Sequence, residues 1–343
     1  MRVLVIGGTR FVGPWVVRRL VEAGHEVAVF HRGRTEAELP EGVEEVRGDR
    51  ARLASFAAAL RRLRPRVVLD MVPYTERDAR ELLRTFRGVA ERVVAAGSGD
   101  VYLAYDRLRR VSPGEPGPVP LAEDAPLREV LHPYRADAPG PEHWTYDYDK
   151  IPVERVVLGD PELPGTVLRL PCVYGPRDQF RRVREYLRRM DDGRPAILLE
   201  EGHAAWRWTR GYVEDVAAAV ALAVTDARSA GRVYNVGEPD ALTEAEWVRA
   251  IGRVAGWEGM VVAVPRGRLP AHLAPDDFDW RHHLATDSSR IRAELGWAEA
   301  VPRGEALRRT IAWERAHPPD GGAAQPDYAA EDAALRKIAG CLP

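Results

Sequence analysis

The chain has 343 residues, of which 45% are hydrophobic and 30% charged, and this is the composition of an ordinary globular protein. Its formal net charge of −2 argues against a broad basic surface for nucleic acid or anionic membranes. The two cysteines, Cys172 and Cys341, predict neither a disulfide framework nor a metal site. The first residues, MRVLVIGG, lack the charged-then-apolar pattern of a leader. We therefore expect a cytoplasmic protein with no membrane span and no bound metal.

The first half of the chain alternates apolar runs with amphipathic stretches, which is the pattern of parallel βαβ units. Strands are predicted at 2–7, 26–31, 43–48, 66–71 and 92–97, with helices between them at 11–24, 51–63 and 76–86. Residues 105–142 read as an irregular excursion, and a helix is expected from about Tyr146.

The predicted fold is α/β, a Rossmann doubly wound parallel sheet with a smaller C-terminal α/β substrate lobe. The Rossmann domain is placed at 1–175, with 233–237 rejoining its sheet, and the substrate lobe at 176–317. A linker and a last helix are expected in the tail, 318–343.

The segment GGTRFVG, Gly7 to Gly13, follows the first strand and opens the first helix, where glycines let a backbone turn approach a dinucleotide pyrophosphate. Arg10 stands where a middle glycine is common, and it is expected either beside the cofactor phosphates or on a solvated turn. The second strand ends FHRGRT, with no acid for the ribose hydroxyls. Arg32 and Arg34 there suit a 2′-phosphate, which favours NADP over NAD. Asp49 is a candidate partner of the adenine amine or a plain turn residue.

Lysine occurs only at Lys150 and Lys337, although the chain has 50 cationic residues. Tyr146 and Lys150 are four apart, so on a helix they would share one face. A buried ammonium near a phenol lowers the phenol's pKa, which predicts Tyr146 as an acid or base. Ser98, after the fifth strand, could bond the same substrate oxygen.

Seven motifs together resemble the extended short-chain dehydrogenase/reductases, the NAD-dependent epimerase/dehydratase group. They are GGTRFVG, GSGDVY, YDYDKIPVE, LRLPCVYGPRD, RGYVEDV, YNVGEP and TDSSRIRAELGW. The resemblance implies Tyr146 as the general base, Lys150 on the nicotinamide ribose, Ser98 as third partner, and a transient keto intermediate. It also implies a homodimer. The residues expected around the cofactor are Gly7, Thr9, Arg10, Phe11, Val12, Gly13, His31, Arg32, Asp49, Val72, Tyr146, Lys150, Pro171 and Val173.

Several residues depart from the family's pattern. Ser98-Gly99-Asp100 replaces the Thr-Asp-Glu run of family dehydratases, so an epimerase is favoured over a dehydratase. Cys172 replaces an asparagine, and Asp277 stands where nucleotide-sugar enzymes often carry an arginine.

A sugar nucleotide is the expected substrate, contacted by Ser98 and Asp100, with Arg207 and Arg210 on its diphosphate. Two alternatives stay open. One is an NADPH-dependent carbonyl reductase with the same triad, and the other is a non-catalytic Rossmann-fold RNA-binding protein like the plant chloroplast stem-loop binding proteins. The pair His282 and His283 is expected to be solvated or packed rather than to bind a metal.

Overall fold

A central parallel sheet organises the chain, which a computed structural model describes at residues 1–35, 38–274, 277–319 and 325–339. Within these residues seven strands form the sheet in the order β10-β6-β5-β4-β1-β2-β3. The strands are β1 Arg2–Ile6, β2 Glu26–His31, β3 Glu44–Arg47, β4 Val67–Asp70, β5 Arg92–Ser98, β6 Gly165–Leu170, β7 Cys172–Tyr174, β8 Ala196–Glu200, β9 Arg210–Tyr212, β10 Val233–Asn235 and β11 Met260–Val264. The order reverses between β1 and β4, and a ligand crevice is expected at such a switch point.

Helices cover both faces of this sheet. They are α1 Val12–Glu22, α2 Leu53–Arg62, α3 Glu76–Phe86, α4 Leu103–Leu108, α5 Lys150–Leu158, α6 Arg184–Asp191, α7 Glu201–Ala205, α8 Val213–Thr225, α9 Glu244–Ala255, α10 Ser289–Leu295, α11 Arg303–Ala316 and α12 Tyr328–Ala339. On one face α1 packs against α8, and on the other α3 packs against α2 and α5. The central strands are apolar on both faces because both are buried, as in other parallel sheets.

The later part of the chain builds a smaller layer beside the carboxyl edge of the sheet. In it β8 pairs with β11, and β7 with β9, both in parallel. The core of this layer, which includes Leu187, Ile197 and Trp247, is continuous with the core around Val3 and Val16 under the sheet. One apolar core therefore joins both parts of the molecule.

The structure confirms the predicted α/β class and the doubly wound parallel sheet, with β1 to β5 close to their predicted bounds. It also pairs β10 with β6, at Val233↔Val167, so part of the 233–237 segment lies in this sheet. The predicted linker after His317 lies partly outside the described residues, and α12 follows it. None of the helices in the described ranges is both long and apolar enough to cross a membrane.

Candidate active site

The turn after β1 has the geometry of a dinucleotide cradle. Gly7 has φ +85°, and a Cβ there would lie 2.8 Å from the Val72 side chain. A Cβ on Gly13 would lie 2.6 Å from the backbone of Gly8, so α1 approaches the turn closely only because both are glycines. No side chain caps the first turn of α1, and no acid lies in it. This end of the helix therefore fits a pyrophosphate.

Most residues predicted for the cofactor lie around this cradle. Thr9 and Arg10 line the cavities beside the turn, and Phe11 begins α1 with φ 44°. Arg10 donates to Thr35 Oγ1 at 3.1 Å and is exposed, so it sits beside the cradle rather than inside the core. Val12 is buried in the core cluster beneath the sheet.

The end of β2 carries a cluster of cations. His31, Arg32 and Arg34 line a small cavity of about 80 Å³ together with Gly48 and Arg50. His31 itself is buried, with Nε2 2.7 Å from a Glu45 oxygen. Arg32 and Arg34 are exposed and form no ion pair with any residue that the structure describes.

Asp49 does not line this cavity. Its Oδ1 accepts a hydrogen bond from Ala51 N at 3.0 Å, which caps the short turn that precedes α2. The turn-forming alternative for Asp49 is the one that the structure supports. The neighbouring Arg50 reaches the cavity instead, while its guanidinium holds the buried Asp70 carboxylate at 2.7 Å.

The helix that carries Lys150 starts at Lys150 and not near Tyr146. Asp149 is its N-cap, accepting from Ile151 N at 2.9 Å. Pro152 lies in the first turn, where a proline is tolerated because that turn's N–H groups have no intrahelical partner. In a helix begun at Tyr146, Pro152 would be interior and would clash with the carbonyl of Tyr148. The prediction that Tyr146 and Lys150 share a helix face is therefore wrong.

Because α5 starts at Lys150, Tyr146 precedes the helix and lies away from the edge of the sheet. Its ring packs under the Arg135 guanidinium, 4.9 Å from the ring centre, and its carbonyl accepts from the same arginine at 3.2 Å. Tyr146 is half-buried and is not among the described residues that line the cavity next to Ser98. Arg135 in turn pairs with the exposed Asp147.

Lys150 is buried at the carboxyl ends of the central strands. Its Nζ donates to Ala96 O at 2.8 Å, in β5, and to Pro73 O at 2.9 Å, just after β4. Burial lowers the pKa of Lys150 to about 8, and the nearby Asp100 carboxylate opposes this shift. The ammonium lies 5.1 Å from the ring centre of Tyr74 and 5.6 Å from that of Tyr148.

Tyr148 occupies the position beside Ser98 that was predicted for Tyr146. Its hydroxyl donates to Asp100 Oδ2 at 3.0 Å. Burial, and then the charge of Asp100, raise the pKa of Tyr148 well above its ordinary value, while a hydrogen bond with Ser98 lowers it. Ser98 ends β5, and its Oγ accepts from Asp100 N at 3.2 Å.

Asp100 is the centre of a phenol network that the sequence did not predict. Its Oδ2 also accepts from Tyr134 OH at 3.0 Å, and Tyr134 OH accepts from Tyr105 OH at 2.9 Å. Burial and the charge of Asp100 raise the pKa of Tyr134. The three phenols, Tyr105, Tyr134 and Tyr148, are 29 and 14 residues apart along the chain, so no helical or strand spacing indicates their meeting.

A cavity of about 490 Å³ opens in front of this network, which is large enough for a small organic molecule. Aromatic side chains line much of it: Tyr74, Tyr105, Tyr134, Trp144, Tyr148 and Trp208. Pro171 and Cys172 also face it, whereas Val173 is buried in the core. Burial raises the pKa of the Cys172 thiol to about 11, so the thiol is neutral.

The arginines predicted to hold a diphosphate do not reach this cavity. Arg207 is exposed, donates to Ala241 O at 2.8 Å and lies 3.7 Å from Glu246. Arg210 is buried against the Trp247 ring and pairs with Glu244. Neither is among the described residues that line the cavity, so their prediction as substrate contacts is not supported by the geometry.

The two adjacent histidines are packed side chains. His282 is buried, with Nε2 3.7 Å from Asp279, and His283 Nδ1 accepts from Arg207 N at 3.2 Å. Burial lowers the pKa of both. The described part of the chain holds no group of three or more His, Cys, Asp or Glu placed to bind a metal ion.

A doubly wound sheet with a dinucleotide cradle and a buried lysine beside a phenol defines the class of Rossmann-fold enzymes that use a nicotinamide cofactor. The model of the NAD dependent epimerase/dehydratase family matches residues 3–237, and the chain belongs to this family. The residues of the cradle fit a bound dinucleotide because the turn is formed by glycines. A side chain at Gly7 or Gly13 would collide with neighbouring atoms.

Three similar proteins illustrate the range of the family. The chain is 30% identical to a 2′-dehydrokanamycin reductase of Streptomyces kanamyceticus, over 81% of this chain and 73% of that protein. It is 29% identical to a 3-diazoavenalumate denitrifying reductase of Streptomyces sp, over 88% and 97%. Among solved structures, a UDP-glucose 4-epimerase of Thermus thermophilus in complex with NAD is 26% identical, with a TM-score of 0.64 over 92% and 99% of the two chains.

Proposed function

We propose that the chain is an NADP(H)-dependent carbonyl reductase, which interconverts a ketone and a secondary alcohol in the aromatic cavity. The observation that carries this proposal is the meeting of Lys150, Tyr148 and Ser98 at the carboxyl ends of β4 and β5, next to the glycine turn. The nicotinamide, when bound, supplies or accepts the hydride. Two similar proteins are named as reductases.

In this proposal Tyr148 takes the part first predicted for Tyr146. The phenol is protonated at neutral pH, which is the state that a proton donor needs, and its pKa is raised by burial and Asp100, not lowered as the sequence analysis predicted for the phenol near Lys150. As the ketone carbon gains a hydride, its oxygen gains the Tyr148 proton, and the phenolate then regains a proton from solvent. The Lys150 ammonium stabilises that phenolate, and Ser98 bonds the same substrate oxygen. Lys150 also holds the cofactor ribose.

The preference for NADP is part of the proposal. Arg32 and Arg34 end β2, are exposed, and have no ion-pair partner in the described ranges, so both are available to a 2′-phosphate. We expect Arg32→Ala to weaken NADP⁺ binding roughly 10- to 150-fold, since a charge-assisted bond contributes roughly 1.5–3 kcal/mol. NAD⁺ binding should stay within about twofold. Calorimetric titration of both cofactors checks this, and equal losses for the two would contradict it.

An epimerase acting on a nucleotide sugar is the second candidate, favoured by the similarity to UDP-glucose 4-epimerase. An epimerase must rotate its keto intermediate so that the hydride returns to the opposite face. During this rotation, a part of the substrate that is fixed to the protein must keep the intermediate in the site. The arginines predicted for that anchor, Arg207 and Arg210, are engaged elsewhere. For this reason we place the reductase first. The homodimer implied by the resemblance stays a prediction.

The test begins with mass spectrometry of any nucleotide retained by the purified chain. Ketones and sugar nucleotides are then screened with NADPH, with absorbance reporting net reduction and chromatography reporting isomers. A reductase consumes NADPH in proportion to product. Isomer formation with a trace of cofactor and no net consumption would replace the first candidate by the second.

A further inference from the structure

Asp100 lines the cavity and has one buried carboxylate oxygen without a hydrogen-bond partner in the described chain. Only 8% of Asp100 is exposed, and it lines the cavity with both neighbouring phenols. Oδ2 accepts from Tyr134 and Tyr148, whereas buried Oδ1 has no hydrogen-bond partner in the described chain. A buried carboxylate oxygen without a donor is costly, and such atoms in folded proteins call for an explanation. A donor on the substrate would supply the missing bond.

The cations near the cavity are already committed to other groups. Of the arginines lining it, Arg169 pairs with Glu154 at 2.8 Å and Arg182 with Asp178 at 2.8 Å. The Lys150 ammonium donates to two backbone carbonyls. A diphosphate would therefore enter beside an acid without a free arginine to balance its charge, and burying such an anion unpaired is strongly unfavourable.

The aromatic walls suit a ring compound and tolerate positive charge. The rings of Tyr134 and Tyr148 are 5.3 Å apart, and the ring of Tyr105 is 6.2 Å from that of Tyr134. The hydroxyls of Tyr134 and Tyr148 both donate to Asp100 Oδ2, and that of Tyr105 donates to Tyr134. An ammonium within about 6 Å of the centre of one of these rings would gain roughly 0.5–2 kcal/mol.

Resting on the proposed function, we infer that the substrate is a ring compound without phosphate that carries an amino group, and that Asp100 binds this group as an ammonium. Nucleoside diphosphates are excluded. The amino group also assists the proton transfer. The charge of Asp100 contributes to the raised pKa of Tyr148, so an ammonium bound at Asp100 offsets that charge and makes the phenol a better proton donor.

The experiment measures binding in the full chain saturated with NADP⁺, so it does not require turnover. Tryptophan fluorescence is suitable because Trp144 and Trp208 line the cavity. The probes are matched pairs, cyclohexylamine with cyclohexanol and glucosamine with glucose, together with UDP and UDP-glucose. We expect each amine to bind at least about tenfold more tightly than its hydroxyl partner at neutral pH, a difference of about 1.4 kcal/mol. UDP and UDP-glucose should show no saturable binding at millimolar concentration.

The variant Asp100→Asn keeps the size and an acceptor for the phenols while removing the charge, and we expect it to reduce the amine preference to about twofold or less. Asp124→Asn is the matched control, since it removes an exposed aspartate elsewhere, and its preference should equal that of the unaltered chain. Binding of UDP-glucose more tightly than the amines, or no amine preference in the unaltered chain, would overturn the inference even if Asp100→Asn fails to fold. An unchanged preference in folded Asp100→Asn would overturn it too.

The two proposals fail differently. If the amines bind with the expected preference but no ketone consumes NADPH, the reductase proposal falls and the assignment of the cavity stands. If ketones consume NADPH but the amine preference is absent, the assignment of the cavity falls and the reductase proposal stands.

Discussion

Two tyrosines two residues apart differ completely in their surroundings. Tyr148 is buried against Asp100 and Ser98, whereas Tyr146 lies under Arg135 outside the cavity. Spacing alone could not separate them, because the four-residue interval to Lys150 identifies a partner only when both residues are on one helix. At this scale the structure has Lys150 and Ser98 at the strand ends, as the sequence analysis expected, whereas the predicted phenol, Tyr146, lies outside the cavity.

This difference predicts opposite outcomes for two conservative variants. Tyr148→Phe should lower kcat by roughly 10²- to 10⁴-fold, which is the usual contribution of a positioned proton donor. Tyr146→Phe should leave kcat within a few fold. Steady-state NADPH oxidation with a ketone substrate measures both. A large loss in Tyr146→Phe with an active Tyr148→Phe would return the assignment to Tyr146 and would require α5 to extend when ligands bind.

The lowered pKa of Lys150 predicts a pH dependence. The ammonium loses its proton as the pH rises through about 8, so NADP⁺ binding should weaken above that pH. In Lys150→Met this alkaline loss should be absent, because no group titrates there. Calorimetric titrations from pH 6.5 to 9.5 would check it, and a parallel loss in both proteins would assign the titration to another group.

The free energy of unfolding also depends on the Lys150 ammonium, and it changes with pH in the direction opposite to that of NADP⁺ binding. Between about 8 and its ordinary value of 10.5, the unfolded chain holds the Lys150 proton and the folded chain does not. The unfolded state then binds more protons, so this contribution to the free energy of unfolding rises with pH in that window.

At the scale of elements, the start of α5 is set by Asp149. Its carboxylate caps the helix, accepts from His132 N at 2.6 Å, and pairs with the fully buried Arg128 at 2.9 Å. Part of the signal was present in the sequence, since aspartate is a preferred N-cap residue and a proline in a helix is tolerated only in the first turn. The Arg128 pairing was not predictable, because it joins the helix to the irregular segment before it.

Removing the Asp149 side chain should therefore be severely destabilising. Asp149→Ala leaves the Arg128 charge buried without a partner, and we expect the free energy of unfolding to fall by about 3–5 kcal/mol. Asp147→Ala is the matched control, since its pair with Arg135 is exposed and should contribute less than about 1 kcal/mol. Urea unfolding followed by circular dichroism measures both. Equal, small losses would show that Arg128 does not depend on Asp149.

At the scale of the whole molecule, the sheet was predictable and the cavity was not. Strands β1, β2, β4 and β5 are apolar runs of the right length between helical stretches, so their order follows from connection rules that hold for most folds. The cavity joins residues from β5, from the irregular excursion and from the later layer. Its charge balance depends on pairs such as Arg169 with Glu154, which only the folded chain brings together.

The last helix is held to the molecule by a buried ion pair. Glu331 on α12 is 1% exposed and binds Arg189 of α6 at 2.8 Å, while Ala334 packs with Leu198 and Val264. We expect Glu331→Ala to lower the free energy of unfolding by about 3 kcal/mol, since the buried Arg189 charge then keeps, among the described residues, only the exposed Glu185 at 3.5 Å. Asp332→Ala, which breaks a partly exposed pair, should cost less than about 1 kcal/mol. Thermal unfolding compares them, and equal shifts would contradict the expectation.

The continuous core described above also decides how a ligand reaches the phenols. Because the same apolar cluster runs from Val3 to Trp247, the later layer cannot swing away from the sheet without exposing that cluster to water. The irregular stretch that carries Val130, Leu131 and Trp144 has these apolar side chains partly in solvent, and it is held to the sheet by polar bonds to Asp100 and Asp149 instead of by that cluster. We expect ligands to enter and leave the cavity by movement of this irregular stretch, while the sheet and the later layer keep their relative positions.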